Sequence, residues 1–547
     1  MANIWIKKPM EAYEADIKKS ELKRVLGKWS LTAIGIGAII GGGIFVLTGT
    51  GAYYNAGPAL ALSFVVAGIA CVFAALCYAE FASILPVEGS AYAYAYGTVG
   101  EIFAWIIGWG LILEYAMGSM TVAVSWSGYF AKLLKMFGLH LPYWMTTDPG
   151  TAKKAFGEAT RQIANGNLPT DKLLAFQETI NNFNAAPEIF DMKIFLNLPA
   201  LLIVLFVISI LIRGTKGAAK ANNMIVIMKV SAIIFVIIAG LFFINVENWT
   251  PFIPEATTIT ENGVSHSAYG YGGIIAGASA IFFAYVGFDA VSTQAGEAIN
   301  PKKDVPFAII TSLIICTILY ILVSLVLTGM MHYTDFNPLG KYPDAIKAPV
   351  AYAFDIAGQA WAGYIITIAA TVGLISVLMV MIMGQSRIFL GMSKDGLIPK
   401  TFSKVNRETG VPTKNLMILG VIIAIVASLT PINDLAHMTS FGTLFAFTMV
   451  CLAVWVLRVK QPNVERNFRV PALPLIATLG ILINVYLIYN LSREAKMYST
   501  AWLLIGFVIY FLYSKRHSKL QKEGYGETFK AEKIPLEDID IDIDNKK

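Results

Sequence analysis

Charge is scarce in this chain. Asp, Glu, Lys and Arg make up 14% of its 547 residues, too few to solvate the surface of a water-soluble protein of this length. Histidine is scarcer. His140, His266, His332, His437 and His517 are widely spaced, and no pair suits zinc or haem. The four cysteines, Cys71, Cys77, Cys316 and Cys451, all fall inside apolar runs, so they read as small hydrophobes and not as a disulfide framework. There is no G-x-x-x-x-G-K-[ST] phosphate loop, hence nothing that suggests ATP drive. No cleavable signal pattern precedes the first apolar run. Enzyme chemistry, a metal, a cofactor and a nucleic-acid partner are therefore not expected. What is abundant is apolar surface: 56% of residues are hydrophobic and mean hydropathy is +0.63. The partner this composition demands is a lipid bilayer.

Apolar runs near 30–54, 59–84, 101–131, 195–212, 222–246, 271–295, 306–331, 350–390, 414–431, 437–457, 474–492 and 499–514 predict an all-α integral membrane protein with twelve transmembrane helices. The run at 350–390 is too long for one crossing, so its end is expected to extend into the cytosol. With the N-terminus inside, the cytosolic segments hold 30 Lys and Arg and the outer segments 11. This is the positive-inside bias, and it places both termini in the cytoplasm of a plasma-membrane protein. Seven of the outer positives lie in the single long loop at 132–194, where one or two short amphipathic helices are expected. The charged stretch 1–28 reads as a cytosolic lead-in. The segment 516–547, ending "EDIDIDIDNKK", reads as a polar cytosolic tail.

Two spans carry an anomaly. The first, "LTAIGIGAIIGGGIFVLTGTG", holds Gly41, Gly42 and Gly43 at its middle. The sixth, "GGIIAGASAIFFAYVGFDAVSTQAGEAIN", holds Gly287 and Asp289 near its centre. Glycine weakens a helix by about 1 kcal/mol relative to alanine, and an unpaired peptide group is most costly in the bilayer core. Matched interruptions five spans apart are the sign of two inverted five-helix repeats, here 29–250 and 270–460, followed by two extra C-terminal helices within 470–515. Unwound backbone is tolerable where it lines a polar cavity. Half-helix N-termini offer N–H groups and C-termini offer carbonyls. Such a pair can hold a zwitterion: the carboxylate on the N–H groups of Gly42 and Gly43, the ammonium on carbonyls of Ile39 and of the turn Phe283, Ala284 and Val286. The plainer reading of the glycines is helix packing; the matched second break favours the ligand site.

Few ionisable groups lie deep, and each is a candidate functional residue. Lys229, in "NNMIVIMKVSAIIFVIIAG", sits about 10 Å along its helix from Asn222. Either it snorkels to the cytosolic interface, or it is a buried proton carrier. Desolvation favours the neutral amine and nearby carbonyls favour the ammonium, so such a group is suited to proton coupling. Glu114 and Asp289 are accessory acids. Glu114 is expected to partner Lys229, to contact a substrate side chain, or to bond a neighbouring helix in protonated form. Asp289 is expected to cap the half-helix that follows it or to touch substrate. Glu80, near the inner end of the second span, points to packing or gating. Tyr92, Tyr94 and Tyr96 in "EGSAYAYAYG" are expected on a cytosolic loop, as interfacial anchors or as part of an inner gate. Arg387 is expected inside, fixing topology or bridging gate carboxylates.

Four separated stretches, "GIGAIIGGGIFVLTG", "YAEFAS" with "EGSAYAY" after it, "FFAYVGFDAVSTQAGEAINPKKDVP" and "GQSRIFLGMSKDGLIP", resemble the cationic amino acid transporter branch of the amino acid–polyamine–organocation superfamily. The resemblance spans the first ten membrane segments and is specific, because four motifs agree in order. It implies the five-plus-five LeuT-like fold with alternating access to a central amino acid site. It also implies that the backbone groups named above are the α-carboxylate and α-amino contacts. The family's fifth-span lysine matches Lys229, where it stands in place of the sodium ion of sodium-coupled relatives. Phe283 resembles the aromatic gate over the substrate. The chain departs from the family at Gly42, where many relatives carry Ser or Thr and so a hydroxyl for the carboxylate. With twelve spans it resembles the shorter bacterial members. Met381, in "SVLMVMIMGQSR", aligns with a smaller residue of animal members and would shorten the side-chain pocket or simply pack.

The reading that follows is a secondary transporter taking up small neutral amino acids such as alanine by proton symport. The alternatives are a gradient-independent exchanger or facilitator of cationic amino acids with a permanently charged Lys229, and a sensor that binds without transporting. A channel finds no ring of charge to support it. The sequence gives no sign of which accessory subunit, if any, the chain binds.

Overall fold

The structure is a computed structural model that describes residues 4–9, 26–84, 90–165, 170–190, 192–261, 264–337, 342, 345–406, 408–464 and 466–523. The "EDIDIDIDNKK" tail and most of the N-terminal lead-in lie outside the described residues. Among the described residues, eight helical segments are long and apolar enough to cross a membrane, and three shorter apolar helices accompany them. The first such segment, Lys28–Ile84, has 57 residues. At 1.5 Å per residue it would exceed the roughly 30 Å hydrocarbon core more than twofold, so it has to fold back. It does so at Gly57, whose φ of +60° puts the backbone in a region that a residue with a Cβ rarely enters.

The helices that matter for the site are α1 (Lys28–Ile39), α2 (Leu60–Ile84), α3 (Ser90–Thr98), α4 (Glu101–Met136), α5 (Leu198–Leu211), α6 (Thr215–Gly240), α7 (Gly270–Ile281), α8 (Pro301–Met330), α9 (Pro349–Ile356), α10 (Ala360–Lys394), α11 (Thr413–Leu429), α12 (Ile432–Lys460), α13 (Leu473–Tyr489) and α14 (Arg493–Ile509). Helix α8 packs on α2 and α1, and α10 and α12 pack on α4. The outward faces of α5, α6, α11 and α14 carry exposed Leu202, Phe206, Ile227, Ile234, Ile238, Ile422, Ile425 and Val508. A water-soluble chain cannot leave so much aliphatic surface open; lipid tails cover it at no cost. All four cysteines are buried and unbridged.

The loop between α4 and α5 contains helices Tyr143–Thr146, Pro149–Asn165 and Thr170–Asn184, in keeping with the amphipathic pattern. Phe156 stacks on Phe183 at 4.2 Å and Phe183 on Phe195 at 5.1 Å between ring centres, which gives the loop a small core of its own. Lys132, near the end of α4, pairs with Asp355 of α9 at 2.7 Å.

Two expectations are corrected. The run at 350–390 is not one helix: it is α9 and α10, separated by a turn in which Gly358 has a φ of +75°. Tyr92, Tyr94 and Tyr96 do not sit on a loop. They lie on α3, and all three are buried. Alternating small and aromatic residues fit a helix wedged between others as well as they fit a strand or loop, and only tertiary contacts distinguish these. The Tyr92 hydroxyl donates to Asp395 at 2.8 Å, beside the Lys8–Asp395 ion pair of 2.7 Å. The Tyr96 hydroxyl donates to Glu101 at 2.8 Å. Residues 4–9 close over this end of the bundle, with the N–H groups of Glu101 and Ile102 donating to the Ile6 and Ile4 carbonyls.

Glu80 is a packing residue. Fully buried on α2, it pairs with Arg458 of α12 and with Arg466, and accepts the Val470 N–H at 2.8 Å. One carboxylate thus fixes the turn between α12 and α13. Removing it leaves two guanidinium groups without their counter-charge, and breaking a buried pair costs about 3–5 kcal/mol. Glu80→Ala is expected to lower the melting midpoint of the detergent-purified protein by several degrees. An unchanged midpoint would show that the turn is held by something else.

Candidate functional site

Helix α1 stops at Ile39. Ile40 is extended, with φ −72° and ψ 98°, and the chain winds again from Gly42 into a π-helical turn, Gly43–Leu47. The N–H groups that open a helix have no acceptor within it, so those of Gly42, Gly43 and Ile44 face out of the restart. The second break follows α7, which tightens into the 3-10 turn Phe282–Tyr285 and ends at Val286. Gly287 follows with a φ of +121°, and a short helix, Ala290–Thr293, begins after Asp289.

The two breaks pack against each other in antiparallel fashion. A Cβ on Gly43 would overlap the backbone of Ala284, and one on Gly287 would lie 2.8 Å from the Ala38 Cβ. Two helix restarts and two helix ends therefore meet at one level, bringing N–H and C=O groups together deep in the bundle. The positive ends favour an anion and the carbonyl ends a cation.

Lys229 of α6 lies in this place and is completely buried. Its Nζ donates to the carbonyls of Gly37 at 2.5 Å and Ile40 at 2.9 Å, and to Ser376 Oγ of α10 at 2.9 Å. Gly373 makes room for its stem: a Cβ there would stand 3.2 Å from the Lys229 Cβ. This excludes snorkelling to the interface. The ammonium ties α6 to the first break and to α10, and all three of its donors have a partner.

The other residues singled out in the sequence divide. Phe283 is buried, and its Cε1 lies 3.7 Å from where a Cβ on Gly42 would be, so its ring stands beside the first break. Three of the four carbonyls expected for an ammonium already have a donor within reach. The Tyr320 hydroxyl of α8 lies 2.6 Å from the Ile39 carbonyl and 2.9 Å from the Ala284 carbonyl. A hydroxyl has one proton, so it serves one of them at a time. The Phe283 carbonyl accepts the Val286 N–H at 3.1 Å. Met381 of α10 is buried, with its Sδ 3.7 Å from a Cβ placed on Gly118 of α4.

Glu114 and Asp289 are both completely buried. Asp289 stands at the N-cap position but makes no cap hydrogen bond; its Oδ2 accepts from the Tyr115 hydroxyl at 2.7 Å. The cap bond expected of it is not formed, although its Oδ1 has no hydrogen-bond partner among the described residues. Glu114 is not bonded to Lys229, whose three donors are spent elsewhere. It lies near enough to Asp289 for their charges to interact, and neither of its oxygens has a hydrogen-bond partner among the described residues. Arg387 is buried near the end of α10.

The sequence reading passed over Tyr320, Ser376 and Ser125. Tyr320 carried a usable signal, a lone tyrosine amid "IICTILYILVSL". The two serines carried none, since a serine in a membrane helix ordinarily bonds its own backbone.

Residues 26–513 match the family model described as amino acid permease. The chain belongs to the amino acid permease family. It is 42% identical to a branched-chain amino acid permease of Bacillus subtilis over 504 residues, 92% of this chain and 96% of that protein. It is 38% identical to the methylthioribose transporter of Bacillus subtilis over 522 residues, 95% of this chain and 100% of that one. Cationic amino acid transporter 3, mitochondrial, of Arabidopsis thaliana is 36% identical over 445 residues, 81% of this chain and 64% of the plant protein. The family lies in the amino acid–polyamine–organocation superfamily, as the four sequence motifs led one to expect. The permease is thus a multi-pass membrane protein built for transport and not an enzyme.

Proposed function

We propose that this permease takes up small neutral L-amino acids, alanine among them, by proton symport through alternating access. In this reading the chain crosses the bilayer twelve times with both termini in the cytoplasm. Two inverted repeats of five helices, 29–250 and 270–460, form the LeuT-like core, and two further helices follow. The observation that carries the reading is the antiparallel contact of the two breaks, Gly43 against Ala284 and Gly287 against Ala38. Packing alone needs glycine but no loss of helix; interrupted helices that meet at mid-bundle make sense where a polar ligand takes up the freed groups.

The carboxylate of the amino acid rests on the N–H groups of Gly42 and Gly43. Its ammonium lies among the carbonyls of Ile39, Phe283, Ala284 and Val286. Since the Tyr320 hydroxyl donates to the Ile39 or the Ala284 oxygen, one at a time, the ammonium uses the lone pairs left free or displaces the hydroxyl. Phe283 covers the ligand, and Met381 limits its side chain. Lys229 carries the coupled proton. Charged, it braces α6 against the first break and α10; neutral, it loses the strength of charge-assisted bonds and lets the bundle loosen toward release. Glu114 of α4 and Asp289 form an acidic pair, a second place where a proton can reside.

The 42% identical relative is named for branched-chain amino acids, which makes larger aliphatic substrates the second reading. Both are decided by one experiment: uptake of labelled alanine, leucine and arginine into liposomes bearing the purified permease, with and without an inward acid gradient. Alanine accumulation that rises with the gradient supports the proposal. Leucine preferred over alanine selects the second reading, and binding without flux selects a sensor. Met381→Ser, which removes most of a buried side chain, is expected to raise leucine and arginine uptake relative to alanine roughly tenfold, the usual worth of one or two methylene-sized contacts in a pocket. An unchanged ratio would leave Met381 a packing residue.

A further inference from the structure

Ser125 of α4 is 3% exposed, and its Oγ has no hydrogen-bond partner among the described residues. Its neighbours on the same helix behave otherwise. Ser119 donates to the Tyr115 carbonyl, Thr121 to the Met117 carbonyl, and Ser127 to Asn197. Back-bonding to the preceding turn is the ordinary resort of a hydroxyl in an apolar helix, and Ser125 does not take it. Its hydroxyl instead points at the first break. The Oγ lies 2.5 Å, and the Cβ 3.0 Å, from the point where a Cβ on Gly42 would stand. One turn further along α4, the Tyr129 hydroxyl donates to the Phe45 carbonyl at 2.7 Å, which fixes α4 against the restarted helix and so fixes where the Ser125 hydroxyl points.

We propose that Ser125 is a substrate-binding residue, and that its hydroxyl donates to the α-carboxylate held on the Gly42 and Gly43 N–H groups. The inference rests on the transport reading given above. Three donors then converge on the anion: two amides from one helix restart and one hydroxyl from a neighbouring helix. The geometry also explains why position 42 is glycine. A side chain at 42 and the Ser125 hydroxyl in its present rotamer compete for the same volume, so a hydroxyl supplied from 42 displaces the one supplied from 125. If Ser125 merely allowed close packing, alanine would serve equally, because the Cβ is kept and only the oxygen is lost.

The test is uptake of labelled L-alanine into liposomes, with unlabelled L-alanine and L-alaninamide as competitors, for the wild-type permease and three variants. Ser125→Ala is expected to raise the KM for alanine roughly tenfold, the usual effect of removing one hydrogen bond to a charged group. Inhibition by alaninamide, whose neutral amide oxygen accepts a weaker bond than a carboxylate, should change by less than alanine does. A packing role would move both ligands together. Gly42→Ser alone is expected to abolish uptake, because its side chain collides with Ser125. Gly42→Ser combined with Ser125→Gly, which moves the hydroxyl to the other helix, is expected to recover uptake to within a few-fold of wild type. If Ser125→Ala binds alanine as wild type does, or if alaninamide loses as much as alanine, the assignment of Ser125 is overturned while the transport reading stands. If the wild-type permease carries no amino acid at all, both fall.

Discussion

Lys229→Met is expected to abolish accumulation of amino acid driven by an inward acid gradient. Methionine replaces most of the lysine stem but ends one atom short and donates nothing, so the carbonyls of Gly37 and Ile40 and the hydroxyl of Ser376 lose their shared partner. A lost hydrogen bond to a charged group is worth about 1.5–3 kcal/mol, which is at least tenfold in a rate or an affinity. The qualitative change is larger, because the group that exchanges the proton is gone. Lys229→Arg separates the two effects. A guanidinium keeps donors near the break but does not lose its proton, so this variant is expected to exchange amino acid across the liposome without responding to pH. Accumulation by Lys229→Met that still follows the gradient would remove Lys229 from the coupling mechanism and leave the Glu114–Asp289 pair as the group to examine.

Gly43→Ala has the second large effect. The added methyl would overlap Ala284 at its Cα and Cβ and stand 2.9 Å from its N. A flexible side chain can move aside, whereas backbone at the turn of a broken helix cannot. Overpacking a tight contact costs about 1–3 kcal/mol or more, here at the place where two helices must approach. The maximum uptake rate is expected to fall at least tenfold in protein that still purifies as a folded species. Gly157→Ala, at a glycine with open space around it, is the control and should behave as wild type. Normal uptake by Gly43→Ala would mean that contact between the breaks is not required for transport.

Both predictions concern residues that stood out in the sequence, and the reason is physical. A lysine amid "IVIMKVSAIIFVIIAG" has no inexpensive place in lipid, and three glycines in an apolar run contradict helix propensity. Such conflicts are visible without coordinates. The residues that answer them are visible only with coordinates. Tyr320, Ser376 and Ser125 are ordinary residues of ordinary helices, and their roles come from which carbonyl or which glycine lies opposite. Asp289 shows the same limit from the other side. Its place before a helix suggested a cap, but no cap bond forms, and its Oδ2 accepts from Tyr115, 174 positions earlier in the chain. The tyrosines of α3 were misplaced because a nine-residue helix with alternating aromatics has no periodicity that marks its inner face.

The sequence alone determined that the chain is an apolar helical bundle, that two of its helices are interrupted, and that Lys229 stands in an apolar run as a candidate functional residue. Each follows from composition and local propensity, which act over one or two helical turns. Tertiary structure alone decided that the two interruptions face one another in opposite directions, that Lys229 bonds Gly37, Ile40 and Ser376, that Glu80 gathers two arginines, and that Ser125 fills the space left open by Gly42. Those facts depend on groups up to several hundred positions apart in the chain, whose distance is set by how helices pack and by nothing in their own local sequence.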